Sequence, residues 1–313
     1  MNTIERVADL LEPLDLPSSK PGEHRNDMSE RLARRDAANA RSTAPDHAAQ
    51  LDAAVVAGDL KREALEEGPA RRAKTVEIDR EHLRCHSMIT PDGYRSQIGE
   101  DFRRIKRQIL ANVLRPRGSL PSNLVLVTSS LPGEGKTFCS INLAISMALE
   151  LDRTVLLVDA DVAKPSVPRA LGIKADRGLM DVLLDPRIDL ADVLVKTDIG
   201  KLSLLPAGSS HPHANELLAS EGMKQLLREI AERYSDRIVI FDSPPLLAAS
   251  EAAVLAGQVG QVIVVVEADR TQESALRTAI SRLDSANITG LLLNKGQPRG
   301  PGYHYGEYGN PAG

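Results

Sequence analysis

The run SLPGEGKT, Ser130 to Thr137, gathers two glycines, a lysine and a hydroxyl into one short stretch. Such a stretch binds phosphate, because glycine lets the chain turn until several backbone N–H groups face inward at anionic oxygens. Gly133 and Gly135 supply the turn. Lys136 is placed to reach the β and γ phosphates of a nucleotide, and Thr137 to set its hydroxyl on Mg²⁺. A helix starting here adds the positive end of its dipole. The expected ATP contacts are therefore Pro132, Gly133, Glu134, Gly135, Lys136, Thr137 and Phe138. The full pattern G-x-x-x-x-G-K-[ST] is not met, since Ser130 stands where its first glycine belongs, but G-x-G-K-T remains.

Two further runs carry carboxylates. In VLLVDADVAKP, Asp159 and Asp161 close an apolar strand two residues apart. Extended, they point the same way, about 6 to 7 Å apart. Carboxylates so placed repel one another unless a cation lies beside them, and Mg²⁺ takes oxygen ligands. Capping of a following helix is the other reading. In IVIFDSPP, Asp242 ends another strand, where a carboxylate binds Mg²⁺ directly or through water, or simply forms a turn. Lys136, Asp159, Asp161 and Asp242 are the catalytic candidates, and Thr137, Asp161 and Asp242 the metal candidates. Asn294, closing LLLN, either hydrogen-bonds the adenine edge or merely ends its strand. Lys164 either contacts phosphate or a tyrosyl substrate, or is solvated.

These residues need a scaffold, and the sequence supplies one. From Asn123 onward, short apolar runs alternate with helical patterns: strands at 124–129, 154–161, 202–207, 237–242, 261–268 and 288–294, and helices near 136–150, 215–234, 249–257 and 272–285. Strands buried on both faces between helices mean a parallel sheet, and such sheets bind ligands at the carboxyl ends of their strands. The fold expected is an α/β P-loop NTPase with a mostly parallel central sheet flanked by helices.

Before it, residues 1–75 form an extension: a short helix to about residue 12, frayed or docking, a polar mobile linker, and a second helix over 51–67. Residues 76–122 are a lead-in with a helix from about Arg95, whose Ile98, Phe102, Ile105, Ile109 and Val113 make a buried stripe opposite Arg103, Arg104, Lys106 and Arg107. The ATP-binding domain spans 123–296. Residues 297–313, rich in Gly and Pro, form a flexible tail carrying Tyr303, Tyr305 and Tyr308, from a chain with only 5 tyrosines.

Bulk composition narrows the function classes. The 313 residues are 42% hydrophobic but only 3% aromatic, so the core is aliphatic. A net charge of -4 and a pI near 6.0 argue against a general nucleic-acid binder. Cys85 and Cys139 have neither disulfide nor zinc spacing. No apolar run reaches the roughly 18 to 20 residues of a membrane span, and MNTIERVADLLEPLDL lacks a signal-peptide core. A cytoplasmic protein is expected, recruited to the membrane only through a partner.

Together these elements resemble the bacterial tyrosine kinases over roughly residues 77 to 308. TSSLPGEGKT at 128–137 matches the family's phosphate loop. Asp159, Asp161, Lys164 and Pro165 match its second Walker motif, and Asp242 its Walker B. The PAG and NELL runs within 206–218 and the terminal tyrosines also look like it. The N-terminus and SMITPDGYRSQIGEDFRRIKRQILANVL are similar to the exosortase-associated branch found with exopolysaccharide loci. The resemblance implies Mg-ATP-dependent autophosphorylation of Tyr303, Tyr305 and Tyr308, usually between neighbours in a homo-oligomeric ring. Asp159 would be the base on the tyrosine hydroxyl, and Asp161 and Asp242 would manage Mg²⁺. The ring-forming E-x-x-R-x-x-R is represented by Glu100, Arg103 and Lys106, the last arginine being replaced by lysine, which lacks the planar fork. The membrane-spanning activator, a polysaccharide co-polymerase, is expected as a separate protein.

Two other classes compete. A ParA/MinD-like ATPase switch would carry a signature lysine where Leu131 stands, and would have no use for a tyrosine tail. A nucleotide-binding scaffold without turnover would not need Lys136, Thr137 and the carboxylates together.

Overall fold

The computed structural model describes residues 75–296 apart from 94–95, 116–118, 151–152, 234–236 and 284–287. The expected helices and linker of residues 1–74 and the tyrosines Tyr303, Tyr305 and Tyr308 lie outside the described residues.

In chain order the elements are β1 (Thr75–Val76), α1 (Arg80–Cys85), α2 (Gln97–Leu114), β2 (Leu124–Ser129), α3 (Lys136–Ala148), β3 (Thr154–Asp159), α4 (Val167–Ala170), α5 (Leu179–Leu184), α6 (Leu190–Val193) and β4 (Val195–Thr197). Then come β5 (Leu202–Leu205), α7 (Ala214–Leu218), α8 (Glu221–Arg233), β6 (Arg237–Asp242), α9 (Glu251–Ala256), β7 (Gln261–Glu267), α10 (Glu273–Ser281) and β8 (Ile288–Asn294). The strands form one 8-stranded sheet in the order β1-β4-β5-β3-β6-β2-β7-β8. All pairings are parallel except β4 with β5.

The central strands are apolar without alternation because both faces are covered. On β2, Leu124 and Leu126 enter one core with α5, α8, α9 and α10, while Val125 and Val127 enter the other with α1, α2 and α3. β3, β6 and β7 divide the same way. The lead-in helix α2 is part of this second core: Phe102 and Ile109 are buried, and Ile98, Ile105 and Val113 pack beside them. Each fully buried side chain of this kind is worth about 1.5–3 kcal/mol.

Several expectations are corrected. The strand expected over 154–161 stops at Asp159, so Asp161 lies in the turn beyond it. Asp159 pairs in register with Asp242, and its neighbour Asp161 is free to turn toward a different partner. The helical region expected over 215–234 consists of two helices, α7 and α8, separated at Ala219 and Ser220, where the Ser220 hydroxyl bonds the Leu217 carbonyl. The loop-rich section before β5 holds three short helices and the antiparallel strand β4. β8 is an edge strand, half-buried rather than enclosed, with Leu293 50% exposed.

Lys106 is the largest correction. It does not share the solvated face of α2 but is buried, its ammonium bonded to the Ser146 carbonyl at 3.0 Å and paired with Glu150. Ser146 lies in the last turn of α3, whose carbonyls have no partner within the helix. A cation there satisfies one and suits the negative end of the helix. Glu100 and Arg103 pair with each other along α2.

Candidate functional site

The strand order creates the site. β6 lies between β2 and β3, so the ends of three adjacent strands deliver the phosphate loop, Asp242 and Asp159 to one edge of the sheet. Asp159 is the register partner of Asp242, and Val127 of β2 pairs with Asp242 from the other side. Neighbouring strands are about 4.8 Å apart, so the two carboxylates are close by construction.

The loop after β2 turns through Gly133 (φ 88°) and Gly135 (φ 95°), conformations that side-chain-bearing residues rarely adopt. A Cβ on Gly135 would also stand 2.0 Å from the Asn294 amide nitrogen. Helix α3 begins at Lys136 directly after the turn. Lys136 Nζ donates to Asp161 Oδ2 at 2.7 Å. Thr137 Oγ1 donates to Asp242 Oδ2 at 2.6 Å and lies 3.0 Å from Ser166 Oγ. One turn on, Ser140 Oγ lies 3.1 Å from Asp242 Oδ1 and 2.9 Å from the Lys136 carbonyl.

Asp159 is fully buried. Its Oδ2 accepts the N–H groups of Ser166 and Val167 at 2.9 and 3.0 Å, which caps α4 as the alternative reading of this residue proposed, while Oδ1 has no partner. Burial is the main cause pushing the Asp159 carboxyl up to about 7; Asp242 repulsion adds to it and the N–H groups of Val167 and Ser166 oppose it. Burial likewise pushes Asp242 up to about 6, held back by Lys136 and by hydrogen bonds from Thr137 and Ser140. Burial would lower the Lys136 ammonium, but Asp242, Asp161 and Asp159 outweigh it and hold it above its usual value. The arrangement is a concentrated negative field with one lysine inside it, which attracts a further cation.

The remaining candidates are placed as follows. Glu134 is buried, and its carboxylate serves the loop itself: Oε2 accepts Leu131 N at 2.8 Å and Oε1 the Thr271 hydroxyl. Pro132 and Gly133 are exposed at the rim, and Phe138 is half-buried against the core under α3. Asn294 gives its amide N–H to the Glu134 carbonyl at 2.9 Å, bracing the loop. Lys164 is exposed, and its N–H bonds Asp161 Oδ1.

Sequence reading missed Ser140, Ser166, Thr271 and Lys295. Ser140 was within reach of it, since i and i+4 share a helix face with Lys136. Thr271, after β7, and Lys295, whose ammonium bonds the Gly133 carbonyl at 2.8 Å and Glu267 Oε2 at 3.2 Å, have no local signal.

Comparison with known proteins agrees with this geometry. Residues 123–288 match the AAA domain family. The chain is 34% identical over 218 residues to the tyrosine-protein kinase YwqD of Bacillus subtilis, covering 67% of this chain and 86% of that protein. It is 32% identical over 190 residues to the tyrosine-protein kinase Wzc of Salmonella typhimurium, covering 60% of this chain but only 26% of that longer protein. Among solved structures, the kinase domain of the Escherichia coli tyrosine kinase ETK aligns with a TM-score of 0.61 and 26% identity over 77% of this chain and 89% of that one. Phosphate loop, strand-end carboxylates and relatives converge: the chain belongs to the bacterial tyrosine-protein kinase family, built on a P-loop AAA-type nucleotide-binding domain.

Proposed function

We propose that this protein is an ATP-dependent tyrosine autokinase whose acceptors are Tyr303, Tyr305 and Tyr308. The observation that carries the reading is Asp159: a buried carboxyl with one unpartnered oxygen, raised toward neutrality, at the strand end beside the phosphate loop. A base of that strength suits removal of a proton from a phenol near pH 7. In the reaction the phenol oxygen forms a bond to the γ-phosphorus, the bond from that phosphorus to the bridging oxygen breaks, ADP leaves, and the phenol proton passes to Asp159. Backbone N–H groups of the loop and Lys136 hold the phosphates, Lys136 exchanging its bond to Asp161 for the anion.

The residues fit Mg²⁺. Among the described residues no three His, Cys, Asp or Glu side chains converge as a metal cluster, but Thr137 and Asp242 offer adjoining hydroxyl and carboxylate oxygens, with Asp161 nearby. Mg²⁺ held through so few protein ligands keeps water and phosphate oxygens for the rest; when bound, it neutralises charge on the nucleotide.

The tail has the reach for this. Tyr303 lies eight residues beyond Lys295, a separation that a flexible chain spans at about 16 Å root-mean-square and about 26 to 29 Å when extended. Either its own site or a neighbour's is accessible. The resemblance of the N-terminus and of the lead-in segment to the exosortase-associated branch supports a role in exopolysaccharide biosynthesis or export, with oligomerisation and a separate membrane partner as part of the reading. No helix among the described residues is long and apolar enough to cross a membrane. A ParA/MinD-like switch is disfavoured by Leu131, which stands exposed at the rim where that class carries a lysine.

The test is incubation with Mg-ATP followed by mass spectrometry of the C-terminal peptide. Phosphate should appear on the tail of the natural chain, vanish in Lys136→Met, and vanish with ATP binding preserved when the tail tyrosines become Phe. Label persisting on that last variant would place the acceptors elsewhere.

A further inference from the structure

Two adjacent residues at the end of β8 grip two adjacent peptides of the phosphate loop from outside it. Lys295 Nζ donates to the Gly133 carbonyl at 2.8 Å, and Asn294 Nδ2 donates to the Glu134 carbonyl at 2.9 Å. In a planar trans peptide, the carbonyl of one residue and the N–H of the next point in opposite directions. Holding the Gly133 carbonyl therefore turns the Glu134 N–H away from Lys295. Holding the Glu134 carbonyl does the same for the Gly135 N–H. Neither N–H has an acceptor among the described residues. Successive N–H groups set free beside left-handed residues form the concave nest that binds anions, and here Gly133 and Gly135 supply those residues.

The backbone at Lys295 makes the double grip possible. Along a strand, consecutive side chains leave on opposite sides, so Asn294 and Lys295 would not both face the loop if β8 ran on. Lys295 instead adopts φ 57°, a left-handed conformation uncommon outside glycine that persists only where the surroundings fix it. Glu267, the last residue of β7, fixes it: its Oε2 stands 3.2 Å from the ammonium, its side chain is largely buried, and its Oε1 is paired with Arg270 at 3.3 Å. The Lys295 side chain itself is 46% exposed, so the ion pair alone adds little to stability. What the strained residue secures is the shape of the loop.

We propose that Lys295 and Asn294 are positioning residues for the nucleotide, Lys295 orienting the Glu134 N–H and Asn294 the Gly135 N–H toward the phosphates of Mg-ATP. Neither residue touches the reacting atoms. The inference rests on the ATP-binding part of the proposed function and is independent of which tyrosines accept phosphate.

The experiment titrates Mg-ATP calorimetrically into the full natural chain, Lys295→Met, Lys295→Arg and Arg270→Met, and follows thermal unfolding of each without nucleotide. Lys295→Met should bind about 3- to 10-fold more weakly, the size of a half-exposed charge-assisted hydrogen bond, with its unfolding temperature unchanged. Lys295→Arg keeps the charge and the donors and should restore the affinity. Arg270→Met removes an equal charge beside the same carboxylate without touching the loop, and should stay within about twofold of the natural chain. Amide-resolved NMR of the isotope-labelled chain then reads the two peptides separately. On saturation with Mg-ATP, Lys295→Met should shrink the shift of the Glu134 N–H more than that of Gly135, and Asn294→Ala the reverse. Natural affinity in Lys295→Met overturns the inference, whether or not its stability falls. So does equal weakening by Arg270→Met, which would make the effect one of net charge, and so does equal disturbance of both amides by each variant. These results leave the autokinase reading standing, whereas a natural chain that binds no Mg-ATP overturns both.

Discussion

Replacing Thr271 by valine tests whether the phosphate loop is held in shape from the end of the neighbouring strand. Thr271 follows β7, remote in sequence from the loop, yet its hydroxyl donates to Glu134 and accepts Glu267 N at 3.1 Å. Glu134 is 2% exposed, and its other oxygen accepts Leu131 N. Valine keeps the shape of threonine and deletes only the hydroxyl, leaving a buried carboxylate one donor short. Such a loss costs about 1–3 kcal/mol. Because Thr271 is half-buried, water recovers part of it, and about 1–2 kcal/mol is expected to fall on the loop's phosphate-binding shape. That corresponds to Mg-ATP affinity weaker by about 5- to 30-fold, at 1.4 kcal/mol per tenfold. Calorimetric titration of Mg-ATP into the natural chain, Thr271→Val, Glu134→Gln and the double variant gives the coupling directly, expected at about 0.5–3 kcal/mol for groups in contact. If Thr271→Val lowers thermal stability but binds nucleotide like the natural chain, the contact supports the fold and does not shape the cradle, and the reasoning fails.

Two other perturbations follow from the same kind of accounting. Lys106→Met keeps an apolar stem but removes the cation on the α3 terminus; since Glu150 is 45% exposed and can rehydrate, the loss should be about 1–2 kcal/mol, read as a lower urea midpoint with an unchanged oligomer on a sizing column. Unaltered stability with a changed oligomer would instead place Lys106 at a subunit contact. Asp181 clasps two loops by accepting Gly178 N at 2.8 Å, Ser209 N at 3.2 Å and the Ser209 hydroxyl at 2.7 Å. Burial raises its carboxyl, but the Ser209 and Gly178 donors outweigh this and hold it below its usual value. A depressed folded value means its contribution is present above the unfolded value near 3.9 and is lost as pH falls through the folded one. Asp181→Ala should therefore unfold earlier in urea at pH 7 by about 1–2 kcal/mol, with the gap closing below pH 4; a gap constant down to pH 3 would refute the clasp.

The chemistry of the loop was legible because it is local. Gly133, Gly135, Lys136 and Thr137 act within one turn, and the positive φ of both glycines is the reason they are glycines. The ends of β6 and β8 fell where the apolar runs end, at Asp242 and Asn294. Lys106 was misread from its charge: it stands four residues after Phe102 and three before Ile109, at the edge of the buried stripe of α2, and its ammonium is caught by the end of a helix forty residues on. Asp161 was misread because it lies two residues past the strand end, where the alternation of sides no longer applies.

By itself the sequence determined the phosphate-binding turn, the short continuously apolar strands and therefore a two-sided parallel sheet, because backbone sterics and burial act over a few residues at a time. Only the tertiary structure decided that β6 lies between β2 and β3, setting Asp159 against Asp242 beside the loop, and that Thr271, Asn294 and Lys295 close over that loop from behind. Strand order and long-range hydrogen bonds join residues from 83 to 162 positions apart, and no local pattern in the chain encodes which strand end will lie next to which.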